Sequence, residues 1–176
     1  MMRTLAAAGV VMLGTALVGC AGSGSAKPVA QASDAQRAAL LDRVKGLAGE
    51  WDMLDDSGAV IGKSRFSVSS NGSSVRELMF MGTAHEMTNM YHMDGSDMVV
   101  THYCAEGNQP RMRAKAAGAD RIPFAFESVT NLKPGGEYMG GLTLVWEKDG
   151  TVRQEWVTFK DGKPQPAFSL RMRRGA

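Results

Sequence analysis

Asn-Gly and Asp-Gly pairs recur along this chain, and they constrain its fold more than any other feature. Asp56-Ser57-Gly58, Asn71-Gly72, Asp94-Gly95, Asp149-Gly150 and Asp161-Gly162 each supply the positive φ that tight hairpin turns demand. Between the turns the hydrophobic period is two. Runs of strand length lie at about 50–54, 60–69, 74–81, 85–93, 98–105, 111–117, 122–129, 139–147, 152–160 and 167–173. About ten short strands in up-and-down order form a meander with two exposed edges, and closing it into a barrel removes them. The expectation is an all-β fold, an antiparallel up-and-down barrel of about ten strands with room inside for one small ligand. Alternation assigns the faces. Leu142, Leu144 and Trp146 share one side of their strand, as do Phe124 and Phe126, and Phe168, Leu170 and Met172, while Thr143, Glu127, Ser169 and Arg171 point away.

Ahead of the strands comes one short N-terminal helix. Ser33 or Asp34 can cap it, Ala38, Leu40, Leu41, Val44 and Leu47 recur at helical spacing, and Gly46 or Gly49 can end it.

The N-terminus predicts an address. Met1-Met2-Arg3, an apolar run from Leu5 to Val18, and then Gly19-Cys20 have the three regions of a secretory signal. The run is too short for a stable membrane span. Leu17-Val18-Gly19-Cys20 resembles the lipobox of bacterial lipoproteins at all four positions. That resemblance implies cleavage after residue 19 and acylation of Cys20, whose thiol is the nucleophile available to take a diacylglycerol. Ala21, where an Asp would favour the inner membrane, implies an outer-membrane lipoprotein of the cell envelope facing the periplasm. The membrane partner is then reached through the lipid anchor. Residues 21–33, rich in Ala, Gly and Ser, cannot bury enough apolar surface to fold. The expected layout is a signal peptide over 1–19, a tether over 20–33 and one barrel domain over 34–176.

Charge and cysteine count exclude other classes. Twenty basic residues stand against 18 acidic ones, a net charge of +2 that gives no electrostatic case for nucleic acid. Of the two cysteines, an acylated Cys20 leaves Cys104 without a partner, so no disulfide framework is expected.

Gly49-Glu50-Trp51, directly after the helix and at the first strand, resembles the Gly-x-Trp opening of the calycins: lipocalins, fatty-acid-binding proteins and nitrobindin-like barrels. The resemblance implies that Trp51 closes one end of the barrel under an Arg near the end of the last strand, for which Arg171 and Arg173 are the candidates. Thr101-His102-Tyr103-Cys104 and Gly107-Asn108-Gln109-Pro110-Arg111-Met112 resemble segments of uncharacterised bacterial proteins of the DUF1579 kind. The nitrobindin likeness implies haem held by a histidine near the C-terminus, whereas the last histidine here is His102.

Candidate chemistry concentrates between Met79 and Cys104, which hold six methionines, His85, His92, His102 and the free cysteine. Such a mix of soft sulfur and imidazole suits Cu(I), or equally an adaptable apolar core. Met87 and Met93 face oppositely to Met90 and His92, so no single site uses them all. Met98, Val100, His102 and Cys104 share one face, which places His102 inside the barrel and in need of a partner. Candidate ligand contacts are His102, Cys104 and Met98, then Tyr91 and Tyr103, then Asn108, Gln109 and Arg111 from the donor-rich loop after the fifth strand. The chain has no Gly-x-Ser-x-Gly elbow, no Cys-x-x-Cys and no phosphate loop, and His85-Glu86 lacks the second histidine of a zinc protease helix. No catalytic residue is assigned. The functional expectation is a tethered barrel that binds or carries a small, mostly apolar molecule without a cofactor, its oligomeric state left open. Two alternatives stand beside it: a copper- or haem-binding protein using His102 with Cys104 or a methionine, and an accessory lipoprotein whose barrel is filled by side chains.

Overall fold

The structure, a computed structural model, describes residues 28–175. The expected signal over 1–19, Cys20 and the first part of the tether lie outside the described residues. Two short helices, α1 (Asp34–Ala39) and α2 (Leu41–Lys45), precede β1 (Gly49–Leu54), β2 (Val60–Ser69), β3 (Ser74–Met79), β4 (Met87–Asp94), β5 (Asp97–Tyr103), β6 (Gln109–Ala114), β7 (Arg121–Thr130), β8 (Glu137–Trp146), β9 (Val152–Lys160), β10 (Lys163–Pro164) and β11 (Phe168–Arg174). Every pairing is antiparallel. The strands follow one another from β1 to β9, and β9 also pairs with β11, which pairs with β1, so ten strands form a closed barrel. The two-residue β10 adds to the end of β9.

The sequence expectation for the elements and their faces differs from this in three places. The single helix is two, because Leu40 leaves helical geometry (φ −113°, ψ −85°) between them. The break turns Leu41 and Val44 into the core, while Ser33 caps α1 through a reciprocal bond with Gln36. The Asp161-Gly162 turn closes a hairpin with β10 and does not lead directly into the last strand. Phe126 does not face inward with Phe124 but is 39% exposed. A register shift falls between Arg111 and Met112, and the pairing of β7 with β8 ends at Ala125 and Gly141. Beyond that point the strands part, and Phe126 joins Tyr138 and Phe159 with ring centroids 5.0 and 6.5 Å away. Phe159 lies over Gly140, where a Cβ would meet its ring at 2.0 Å, so only glycine fits there.

The two ends of the barrel are unlike. The end holding the turns after β2, β4, β6 and β8 is closed by α2, which packs on β2, β3 and β4. Trp51, 3% exposed, plugs this end and donates from its indole nitrogen to the Leu47 carbonyl at 2.7 Å. The arginine over its ring is Arg174, 4.5 Å from the centroid, and not Arg171 or Arg173. Register explains the correction. Trp51 pairs with Arg174 and Met53 with the buried Met172, so even-numbered residues of β11 share the face of Trp51. Odd-numbered Arg171 and Arg173 point outward to Asp149 and Asp52. Arg174 also donates to the Ala48 and Gly46 carbonyls at 2.7 and 2.8 Å. Gly49, at φ +119°, lets the chain turn from helix to strand beneath that guanidinium.

Above this plug the interior is apolar: Val75, Met98, Val100, Met112, Ile122 and Leu144 are fully buried. The opposite end carries the loops after β1, β3, β5, β7 and β9, and here the interior is not filled.

Candidate functional site

Charged residues on strands point outward by default, yet Glu77 shares the parity of Val75 and Met79 and is wholly buried. Cross-strand register places it beside Asn89, and Asn89 beside His102, so the three form a row across β3, β4 and β5. One Glu77 oxygen accepts from Ser64 Oγ at 3.2 Å and from Gln154 Nε2, which reaches across the barrel from β9. The other accepts from Asn89 Nδ2 at 2.7 Å and from Tyr91 Oη at 2.8 Å. Trp156 Nε1 in turn donates to Gln154 Oε1 at 3.0 Å. Four donors fill the lone-pair sites of one carboxylate, although no lysine or arginine among the described residues bonds to it. Burial raises the Glu77 carboxyl above its usual range, and its hydrogen bonds oppose that rise. Burial, and after it the Glu77 charge, raise the Tyr91 phenol further still.

The network ends on His102, 1% exposed, whose Nδ1 lies 2.7 Å from Asn89 Oδ1. Asn89 commits its amide nitrogen to Glu77, so Oδ1 is the acceptor and Nδ1 carries the proton. Nε2 is therefore a lone pair. It has no partner among the described residues and no contact with solvent. Burial pushes the imidazole pKa down to about 4, so the ring is neutral near pH 7.

Directly above this floor lies a cavity of about 460 Å³ that opens at the loop end of the barrel. Met79, Met87, His102, Met139 and Trp156 line its deep part, and the Trp156 ring lies 5.1 Å from that of His102, tilted by 52°. Ile61, Phe80, Thr83, His85, Phe168 and Leu170 form its rim. The volume falls within the range of about 300–1,000 Å³ found for small-molecule sites, and the lining is mostly apolar with one inward polar group.

The other residues singled out from sequence scatter. Met98 is core and Tyr91 belongs to the Glu77 network, both below the cavity. Tyr103 is 49% exposed on the outer wall. Cys104 lies past the end of β5, half-buried in a separate recess with Glu106 and Tyr138, which parts it from the deep face that His102 occupies. Burial raises its thiol pKa, the reverse of what a reactive cysteine needs. Asn108 holds the Glu137 carbonyl at 2.8 Å where β7 and β8 part, and Gln109 accepts from Thr130 and Asn131. Arg111 is an outer residue paired with Glu127 and Asp94. The sequence reading missed Glu77, Asn89, Gln154 and Trp156. The signal that could have found them was parity: Glu77 alternates with Val75 and Met79, and Asn89 with Met87 and Tyr91.

No family model and no curated protein matches the chain. Fold and interior define it as a closed antiparallel β-barrel, packed at one end and hollow at the other.

Proposed function

We propose that this protein is an envelope lipoprotein whose barrel binds a small, mostly apolar molecule in the cavity above Glu77 and His102. The observation behind this reading is that cavity: an apolar space of about 460 Å³ lined in part by His102, whose Nε2 has no hydrogen-bond partner. A barrel filled throughout by side chains would have no such space, so the accessory reading loses ground to the binding one. Solvent extraction of protein purified without its leader, followed by mass spectrometry, tests it together with titration of an environment-sensitive apolar fluorophore. Saturable binding that Met139→Trp abolishes, by filling the cavity, is the expected result. Binding that ignores this substitution overturns the assignment to the cavity. The tether is tested separately, because Cys20→Ala removes the one acylation site and must end palmitate incorporation.

One observation favours copper as a second reading. Met79, Met87 and Met139 line the same cavity as His102, whose Nε2 is unpartnered, a soft set suited to Cu(I). Stoichiometric Cu(I) retention that is lost in His102→Phe would establish it. Haem held by a late histidine does not fit these residues, since none follows His102.

A further inference from the structure

We infer that the molecule received in this cavity is uncharged and carries a hydroxyl, which donates its hydrogen bond to Nε2 of His102. The inference rests on the binding reading above and adds the chemical class of the ligand.

The tautomer decides the direction of the bond. Asn89 Oδ1 accepts from Nδ1 at 2.7 Å, and Asn89 in turn donates to Glu77 at 2.7 Å, so Nε2 of this cavity-lining residue is an acceptor. A ketone, ether or ester finds no donor there. The other donors of the lining are already committed, Thr83 Oγ1 to the Phe80 carbonyl at 2.8 Å and Trp156 Nε1 to Gln154 at 3.0 Å. His85 stands exposed on the rim, away from the buried floor.

Charge is excluded in both signs. No lysine or arginine is among the lining residues, so a carboxylate or phosphate would lose its water without gaining a counter-ion. An ammonium group would likewise lack an anion within reach, since Glu77 has both oxygens occupied beneath the floor. A purely apolar molecule would leave Nε2 unmet, a buried acceptor without a hydrogen bond. A hydroxyl on an apolar body, an alcohol or a phenol, satisfies every group at once. Nε2 is closed to solvent as the side chains stand, and Met79, Met87 and Met139, which line the cavity with His102, are unbranched and can shift to let a hydroxyl reach it.

Fluorescence titrations of the protein with naphthol, methoxynaphthalene and naphthoate near pH 7 test this, because the three share an apolar body and differ in the polar group. Naphthol is expected to bind at least about tenfold more tightly than methoxynaphthalene, and naphthoate most weakly. In His102→Phe the preference for naphthol should vanish while methoxynaphthalene still binds. Equal binding of naphthol and methoxynaphthalene by the unaltered protein overturns the hydroxyl assignment and leaves the apolar site standing. Failure of all three to bind overturns the cavity reading itself. Should His102→Phe not fold, the Nε2 nitrogen resonance of the unaltered protein decides: naphthol must shift it and methoxynaphthalene must not.

Discussion

The order of hydrogen bonds around Glu77 decides which ring nitrogen of His102 carries the proton, and the amide of Asn89 transmits that choice. A glutamine at position 77 could accept from only one pair of donors, and its own amide would meet that of Asn89 or Gln154. Glu77→Gln should therefore cost about 1–3 kcal/mol in urea denaturation, the penalty for a buried amide left without an acceptor. A loss under about 0.5 kcal/mol would mean the network readjusts freely. The depressed pKa of His102 has its own signature. The unfolded ring binds a proton below about 6.5 and the folded one only below about 4. Its stabilisation is thus complete above pH 6.5 and is lost as pH falls toward 4, at about 1.4 kcal/mol per pH unit and about 3 kcal/mol in all. The raised carboxyl of Glu77 acts in the opposite sense, binding its proton more readily when folded, and it is common to both proteins if His102→Phe is the reference. The stability difference between the unaltered protein and His102→Phe should fall across this window, and a pH-independent difference would refute the assignment. Of these residues, His102 could be placed from sequence because its strand alternates with apolar neighbours. Glu77 shares the parity of Val75 and Met79, yet that signal is outweighed by its charge: a lone carboxylate reads as solvent-facing until its donors on β4 and β9, remote in sequence, are seen around it.

At the scale of elements, what could be read from sequence was what local geometry dictates. Asn-Gly and Asp-Gly turns mark hairpin ends whatever surrounds them, and all ten expected strands lie within three residues of where alternation puts them. The break at Leu40 had no local cause, since the periodicity runs through it and only docking onto the barrel end requires it. The arginine over Trp51 was missed by one residue for the same kind of reason: a single register step on a strand moves a side chain to the other face. That step is testable. Arg174 stacks on Trp51 and holds two carbonyls at the helix exit, so Arg174→Ala should lower stability by about 1–3 kcal/mol, the stacking and the two bonds combined. Arg171→Ala and Arg173→Ala, whose own side chains are half-exposed where they pair with Asp149 and Asp52, should stay within about 0.5 kcal/mol. A larger loss from either outward arginine than from Arg174 would contradict the register.

The whole molecule is polarised, closed where the chain enters and open at the far end. Gly95, in the turn after β4, lies against the Ala30 carbonyl, and Ala32 is buried nearby, so the described N-terminal residues lie at the plugged end. A ten-residue strand such as β2 rises about 33 Å, or roughly 25 Å along the axis of a barrel whose strands tilt by about 40°. If Cys20 is the anchored residue, the eight residue steps from it to Pro28 span at most about 30 Å. Turning the mouth toward the anchoring membrane would need that stretch to run straight along the barrel wall. A lipid on Cys20 would then hold the plugged end nearer the membrane and the cavity facing away, so ligand would exchange through the aqueous compartment. Acylated protein on vesicles, with Cys104 replaced by Ala and one fluorophore at Ser96→Cys or Thr83→Cys, can test this orientation. Spin-labelled headgroups should quench the label at position 96, beside the plugged end, and leave the one at position 83, on the cavity rim, largely unaffected. Stronger quenching at position 83 would mean that the mouth faces the bilayer.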